Sequence, residues 1–171
     1  KRTVKINGTD YKIILAKLIP NAEERITDSP QGVPVISLIV TNMMERETVI
    51  LRKGETKTSN GITFEFGADK PADVNISLDS GKFFLSSDLN LGMMSMMTQT
   101  ATILEKGKPV ELKSMQILTL DNVKIVPQQM SLAGITKAVA VKPEEQTTGL
   151  NAFIFHLING NKTATVYLWD K

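Results

Sequence analysis

Chemistry in a folded chain needs a nucleophile, a proton carrier or a metal ligand, and this sequence supplies few. It has no cysteine, which excludes disulfides, thiolate metal sites and cysteine nucleophiles together. Its single histidine, His156, would have to serve any Ser-His-Asp triad or imidazole metal site. An imidazole can be an axial haem ligand, but no residue near His156 in the sequence supports that role. His156 lies in the strand-like run 153–158, on a mixed face with Thr163 expected beside it, and reads as an exposed or half-buried strand residue.

The most unusual composition is Met93-Met94-Ser95-Met96-Met97. Thioether side chains are flexible and polarizable, so such a cluster can fill an irregular core gap or present an adaptable docking surface. Methionine is also a ligand for haem iron and for soft copper. Gap-filling is the most economical reading. The docking reading makes Met93, Met94, Met96 and Met97 the candidate partner-binding residues.

Two acidic pairs, Glu23-Glu24 and Glu144-Glu145, fall in polar stretches. Paired carboxylates do acid–base work when one is buried beside a substrate, whereas neighbouring exposed glutamates are solvated charge. There is no P-loop, dinucleotide-binding glycine turn, EF-hand spacing or nucleophile elbow. Triplets of the Asn-x-Ser/Thr type at Asn7, Asn75 and Asn161 are too common to carry weight. The residues therefore predict no enzyme, no small-molecule substrate, and no metal or cofactor held by this chain.

The elements that would position these residues are strands. Short runs rich in Val, Ile, Thr and Phe alternate with turn residues. Asn7-Gly8, Asn60-Gly61 and Asn159-Gly160 suit hairpin turns that need positive φ. Folding about the first sets Lys5 opposite Asp10 and Val4 opposite Tyr11. Folding about the last sets Phe153 opposite Val166, Phe155 opposite Ala164, and His156 opposite Thr163. Asp79-Ser80-Gly81 joins two further strands, 74–78 and 83–86, and more are expected at 11–18, 35–41, 47–51, 101–104, 115–120, 123–126 and 135–141. Residues 21–32 and 142–149 are polar and contain proline, so they read as loops. Residues 89–99 invite a single helical turn, with Ser87-Asp88 as its cap, although Gly92 weakens it.

The expected fold class is all-β, an antiparallel β-sandwich or two stacked sheets, with at most one short helix near 89–99. At 171 residues one domain covering 1–171 is expected, large enough to bury a core unaided. Hydrophobic residues make up 42% of the chain, which argues against disorder. The net charge is only +2, with basic and acidic residues interspersed, so no nucleic-acid partner is expected. No run approaches the roughly 20 apolar residues of a membrane span. Sheet-like residues at both ends suggest a domain cut from a larger protein that carries the anchor.

Leu18-Ile19-Pro20-Asn21-Ala22-Glu23-Glu24, Arg52-Lys53-Gly54-Glu55-Thr56 and Gly61-Ile62-Thr63-Phe64 resemble stretches of one family. So do Lys82-Phe83-Phe84-Leu85-Ser86-Ser87-Asp88, Leu112-Lys113-Ser114-Met115 and Thr163-Ala164-Thr165-Val166-Tyr167. Across nearly its whole length the chain resembles the extracytoplasmic domain of ResB-like cytochrome c biogenesis proteins. More narrowly, it looks like the version fused to a CcsA-type haem-handling half in Bacteroides and its relatives (system II). The resemblance implies a multi-pass parent whose haem ligands lie in its membrane-embedded half, so no haem ligand is assigned to this chain. It further implies a non-catalytic scaffold at the periplasmic face of the inner membrane, with apocytochrome c or thiol-redox proteins as partners. The alternative class is a periplasmic or surface β-sandwich binding module of a lipoprotein. Its glycan-binding form usually displays several aromatics, and here aromatics are 5% with Trp169 the one tryptophan.

Overall fold

A computed structural model describes residues 2–141 and 150–170. The fold is all-β: the described strands form two sheets dominated by antiparallel pairing, with no helix among the described residues. The expected loop at 142–149, with Glu144-Glu145, lies outside the described residues. The chain divides into two compact units, Lys1–Arg25 with Thr136–Lys171, and Ile26–Ile135. Two long strands, β2 (Thr9–Thr41) and β12 (Val123–Ala140), contribute to both.

In the first unit β1 (Arg2–Ile6) turns through Asn7-Gly8 onto β2, with φ of 47° and 80° at the two turn residues. Lys5 pairs with Asp10 and Val4 with Tyr11, as the alternation of charge and apolarity requires. The strand β13 (Leu150–Asn159) pairs with β2 and with β14 (Lys162–Trp169). The β13–β14 register differs from the sequence reading. Gly160-Asn161 forms the turn, and Phe155 faces Val166 while His156 faces Thr165. Only Gly160 of the pair has positive φ, 55°, the pattern of a turn with glycine first. Because the sequence Asn159-Gly160-Asn161 admits either placement, the turn moved by one residue, which shifts the pairing by two and leaves every side chain on its expected face. A small core of Ile19, Ala22 and Ala152 sits between these strands, with Ile154 and Trp169 packed on it.

The second unit is a β-sandwich. One layer contains the end of β2 paired with β3 (Arg46–Arg52), and β12 paired with β11 (Gln116–Leu120), which continues to β8 (Leu91–Ser95) and β9 (Ala101–Leu104). The other layer orders β10 (Val110–Glu111), β7 (Lys82–Ser86), β6 (Val74–Asp79), β5 (Ile62–Phe66) and β4 (Glu55–Ser59), with β5 and β6 parallel. Asn60-Gly61 and Ser80-Gly81 close two of its hairpins with positive φ, as their dipeptides predict. Alternate residues of both layers meet in one core: Ile36, Leu38, Leu51, Leu118 and Ile125 against Phe64, Phe66, Ile76 and Leu85, all fully buried. Each such side chain contributes about 1.5–3 kcal/mol of transfer free energy. The Phe66 and Phe83 rings add a tilted contact with centroids 5.7 Å apart.

Two expectations fail in this unit's neighbourhood. Residues 21–32 are not a loop but part of β2, with Glu23 and Glu24 half-buried in the strand. Pro20 and Asn21 sit where the β2–β13 register shifts, and Asn21 takes φ 47°, so a bulge absorbs the proline that polarity and composition assigned to a loop. Beyond it Gly32 and Gly134 permit close packing of β2 on β12, since a Cβ at Gly32 would lie 2.5 Å from the Ala133 carbonyl carbon. Residues 89–99 hold no helix: 91–95 form β8, and one turn follows it, closed by Gln99 N–H donating to Ser95 O at 2.8 Å. Leu91 and Met93 point to the core while Gly92 and Met94 point outward, because hydrogen bonding to β9 and β11 on either side outweighs methionine's helix propensity. Ser87 caps no helix; its hydroxyl donates to the Asp73 carbonyl at 2.6 Å and accepts from Leu89 N–H.

Candidate functional site

The sequence candidates separate on the fold. Met93 packs against the sandwich core. Met94, Met96 and Met97 face outward, 40%, 41% and 78% exposed. The strand Leu91–Ser95 thus presents one methionine to the inside and one to the outside, after which the turn 96–98 presents the remaining two. His156 is half-buried in β13, with its Nδ1 3.5 Å from the Thr165 hydroxyl. Glu23 accepts from the Arg25 guanidinium. Glu65, in β5, is a buried carboxylate that composition did not single out. It accepts the Ala68 N–H at 2.6 Å and so braces the turn after its own strand.

The outward side of β8 forms a shallow groove of about 420 Å³. Gly92 forms its floor; Met94, Ile103 and Ile117 give it apolar walls, and Lys124 stands at its rim. These residues share a face because the registers align them: Met94 with Ala101 and Ile117, Gly92 with Ile103 and Thr119, Thr119 with Lys124. Missing a side chain at Gly92 makes the concavity. A Cβ there would lie 3.8 Å from the Thr119 carbonyl oxygen, an ordinary contact, so the glycine is not imposed by crowding.

Beside the groove, β9 is the last strand of its sheet. Ser95 N–H donates to Thr100 O at 3.1 Å, and antiparallel pairing alternates the direction of successive peptide groups. Residues 100, 102 and 104 therefore bond to β8, while the N–H and C=O groups of Ala101 and Ile103 point to the open edge. Ile103 is 82% exposed. Edge strands are usually blunted by lysine, proline or shortness. The other sandwich layer follows that rule, with Lys57 in β4 and only Val110–Glu111 in β10. Ala101–Leu104 contains neither lysine nor proline, and at four residues it is itself a short strand.

No protein-family profile, curated protein or solved structure matches the chain. Its function must therefore be read from the arrangement itself. Among the described residues no group of three His, Cys, Asp or Glu could hold a metal ion. No helix among them is long and apolar enough to cross a membrane. What the arrangement offers chemically is main-chain hydrogen bonding at an edge and apolar contact beside it. Sequence reasoning missed Ile103, Ile117, Met115 and the exposed Met43-Met44 pair in the β2–β3 turn. A signal was present for the first: a β-branched residue in a strand with no charge of its own.

Proposed function

We propose that this chain is a non-catalytic docking domain that takes an extended, apolar polypeptide onto β9, and that it serves cytochrome c assembly from the periplasmic side, as the ResB-like resemblance implies. The observation that supports this reading is the coincidence, on one strand, of outward-facing peptide groups and an apolar groove. An added strand gains affinity from main-chain hydrogen bonds, and its alternate side chains find a pocket in the groove. Apocytochrome c, which is unfolded before haem attachment, has the extended backbone this mode requires. Thiol-redox partners are folded, and a docking role toward them would use the same apolar face without strand addition.

The test is fluorescence anisotropy of a labelled apocytochrome c peptide spanning its Cys-x-x-Cys-His segment. Saturable binding is expected, weakened at least tenfold by Ile103→Pro. Proline there removes an outward N–H and leaves the β8 ladder intact, as edge strands tolerate. Thr163→Asp on β14, in the other unit, is expected to leave binding unchanged. Undiminished binding by a folded Ile103→Pro variant would reject the β9 site.

A further inference from the structure

We propose that Met94, Met96 and Met115 form a thioether site for a soft monovalent cation, Cu(I). The pairing places them together. Met96 N–H donates to the Met115 carbonyl at 2.9 Å, which extends the β8–β11 pairing one step past Ser95–Gln116. Met94, two residues back along β8, pairs with Ile117. Met96 and Met115 lie in the turns that flank β8 and β11, so this hydrogen bond makes their backbones neighbours, and Met94 on β8 completes a triangle of nearby residues. All three are exposed, between 40% and 51%, and their flexible side chains can close that triangle onto one ion.

Met115 adopts φ 64°, a conformation that favours glycine or asparagine over a long side chain. It is held there by a turn in which Lys113 N–H donates to Gln116 Oε1 at 2.8 Å. A methionine at such a position has a cost that its packing does not explain, because it is half in solvent.

Ligand chemistry selects the cation. Neutral thioethers bind Cu(I) and bind zinc, magnesium or calcium poorly. The chain has no thiol to compete, and its one imidazole, His156, belongs to the other unit. Nearby positive charge is modest. Lys113 is paired with Glu111 at 3.8 Å, and Lys124 pairs with Thr119, four residues beyond Met115 in the sequence.

The site stands apart from the docking reading, because leucine keeps the apolar surface that docking needs and removes the sulfur. The experiment is titration of the chain with Cu(I), held reduced by ascorbate, against a chromophoric Cu(I) chelator. Methyl-labelled methionine spectra during titration with Ag(I), the redox-inert stand-in, report which residues bind. One equivalent is expected, with shifts of the Met94, Met96 and Met115 methyl signals. Each of Met94→Leu, Met96→Leu and Met115→Leu should weaken binding at least tenfold, while Met93→Leu, Met97→Leu and His156→Asn change it less than twofold. Absence of saturable binding, equal effects of all methionine changes, or loss of binding in His156→Asn would each overturn the site. Thermal melting of the leucine variants checks that the fold persists.

Discussion

Gly92 offers the sharpest separation of architecture from function. It lies mid-strand with an ordinary φ, and an added Cβ would rest 3.8 Å from Thr119 O and 3.9 Å from Thr119 Cβ. Glycine in a strand interior is destabilising by about 0.5–1 kcal/mol relative to alanine, because it loses more chain entropy on folding. Gly92→Ala should therefore raise stability by that amount. For a chain of this size about 1 kcal/mol corresponds to roughly 2–4 °C in Tm, so differential scanning calorimetry should show a gain of one to a few degrees. Gly92→Phe extends the same logic. Its ring would lie across Ile103 and the groove floor as an aromatic–β-branched cross-strand pair, and it should keep the fold while filling the concavity. The peptide probe should then lose affinity, although β9 retains its edge groups. A fall in Tm for Gly92→Ala would refute the packing argument. A Gly92→Phe variant that binds the peptide as well as the parent chain would refute the role of the groove.

The opposite outcome is expected where glycine is imposed by crowding. At Gly134 a Cβ would approach Val35 Cγ1 to 2.3 Å and Ile26 Cγ2 to 2.9 Å, so Gly134→Ala should cost about 1–3 kcal/mol in chemical denaturation. Gly32→Ala should cost at least as much, since the atoms in its way are backbone and cannot rotate aside. Leu118→Ala, at a fully buried core position, should cost about 2–5 kcal/mol by lost transfer energy and a residual cavity. Ser131 donates to Asp28 Oδ1 at 2.5 Å and accepts from Ala133 N–H; Ser131→Ala should cost about 1.5 kcal/mol, a charge-assisted bond at the low end because Asp28 can turn to water.

What could be read in the sequence was whatever is decided locally. Asn7-Gly8, Asn60-Gly61 and Ser80-Gly81 place positive-φ residues at hairpin turns, and the strands they join follow at once. Asn159-Gly160-Asn161 shows the limit of that reading, since two turn placements satisfy the same dipeptide signal and only the pairing to β2 and β14 chooses between them. The long strands were opaque for a different reason. Pro20, Pro30 and polar neighbours look like loop residues, yet β12 runs alongside and supplies Gln129 and Ser131 as partners to Ile26 N–H and Asp28. Such long-range pairing leaves no mark in a window of ten residues. The methionine segment failed as a helix for the same cause: its propensity was legible, and its two flanking strands were not. The groove was invisible because its walls come from β8, β9 and β11, which meet only after folding.

The contrast between the edges carries the functional argument further than any one residue. In the second layer β4 is guarded by Lys57, and β10 is too short to template another strand. β9, four residues long, carries no lysine or proline, and it stands beside the face on which Met94, Ile103 and Ile117 are gathered. An unguarded apolar edge carries an aggregation cost that selection removes cheaply, by a single lysine or proline. Its presence at Ile103 is intelligible if the edge is covered when the protein works. Because Ala101 and Ile103 direct their peptide groups outward, the cover that satisfies them is another extended backbone, and a folded partner lacking a free strand would leave those groups to water.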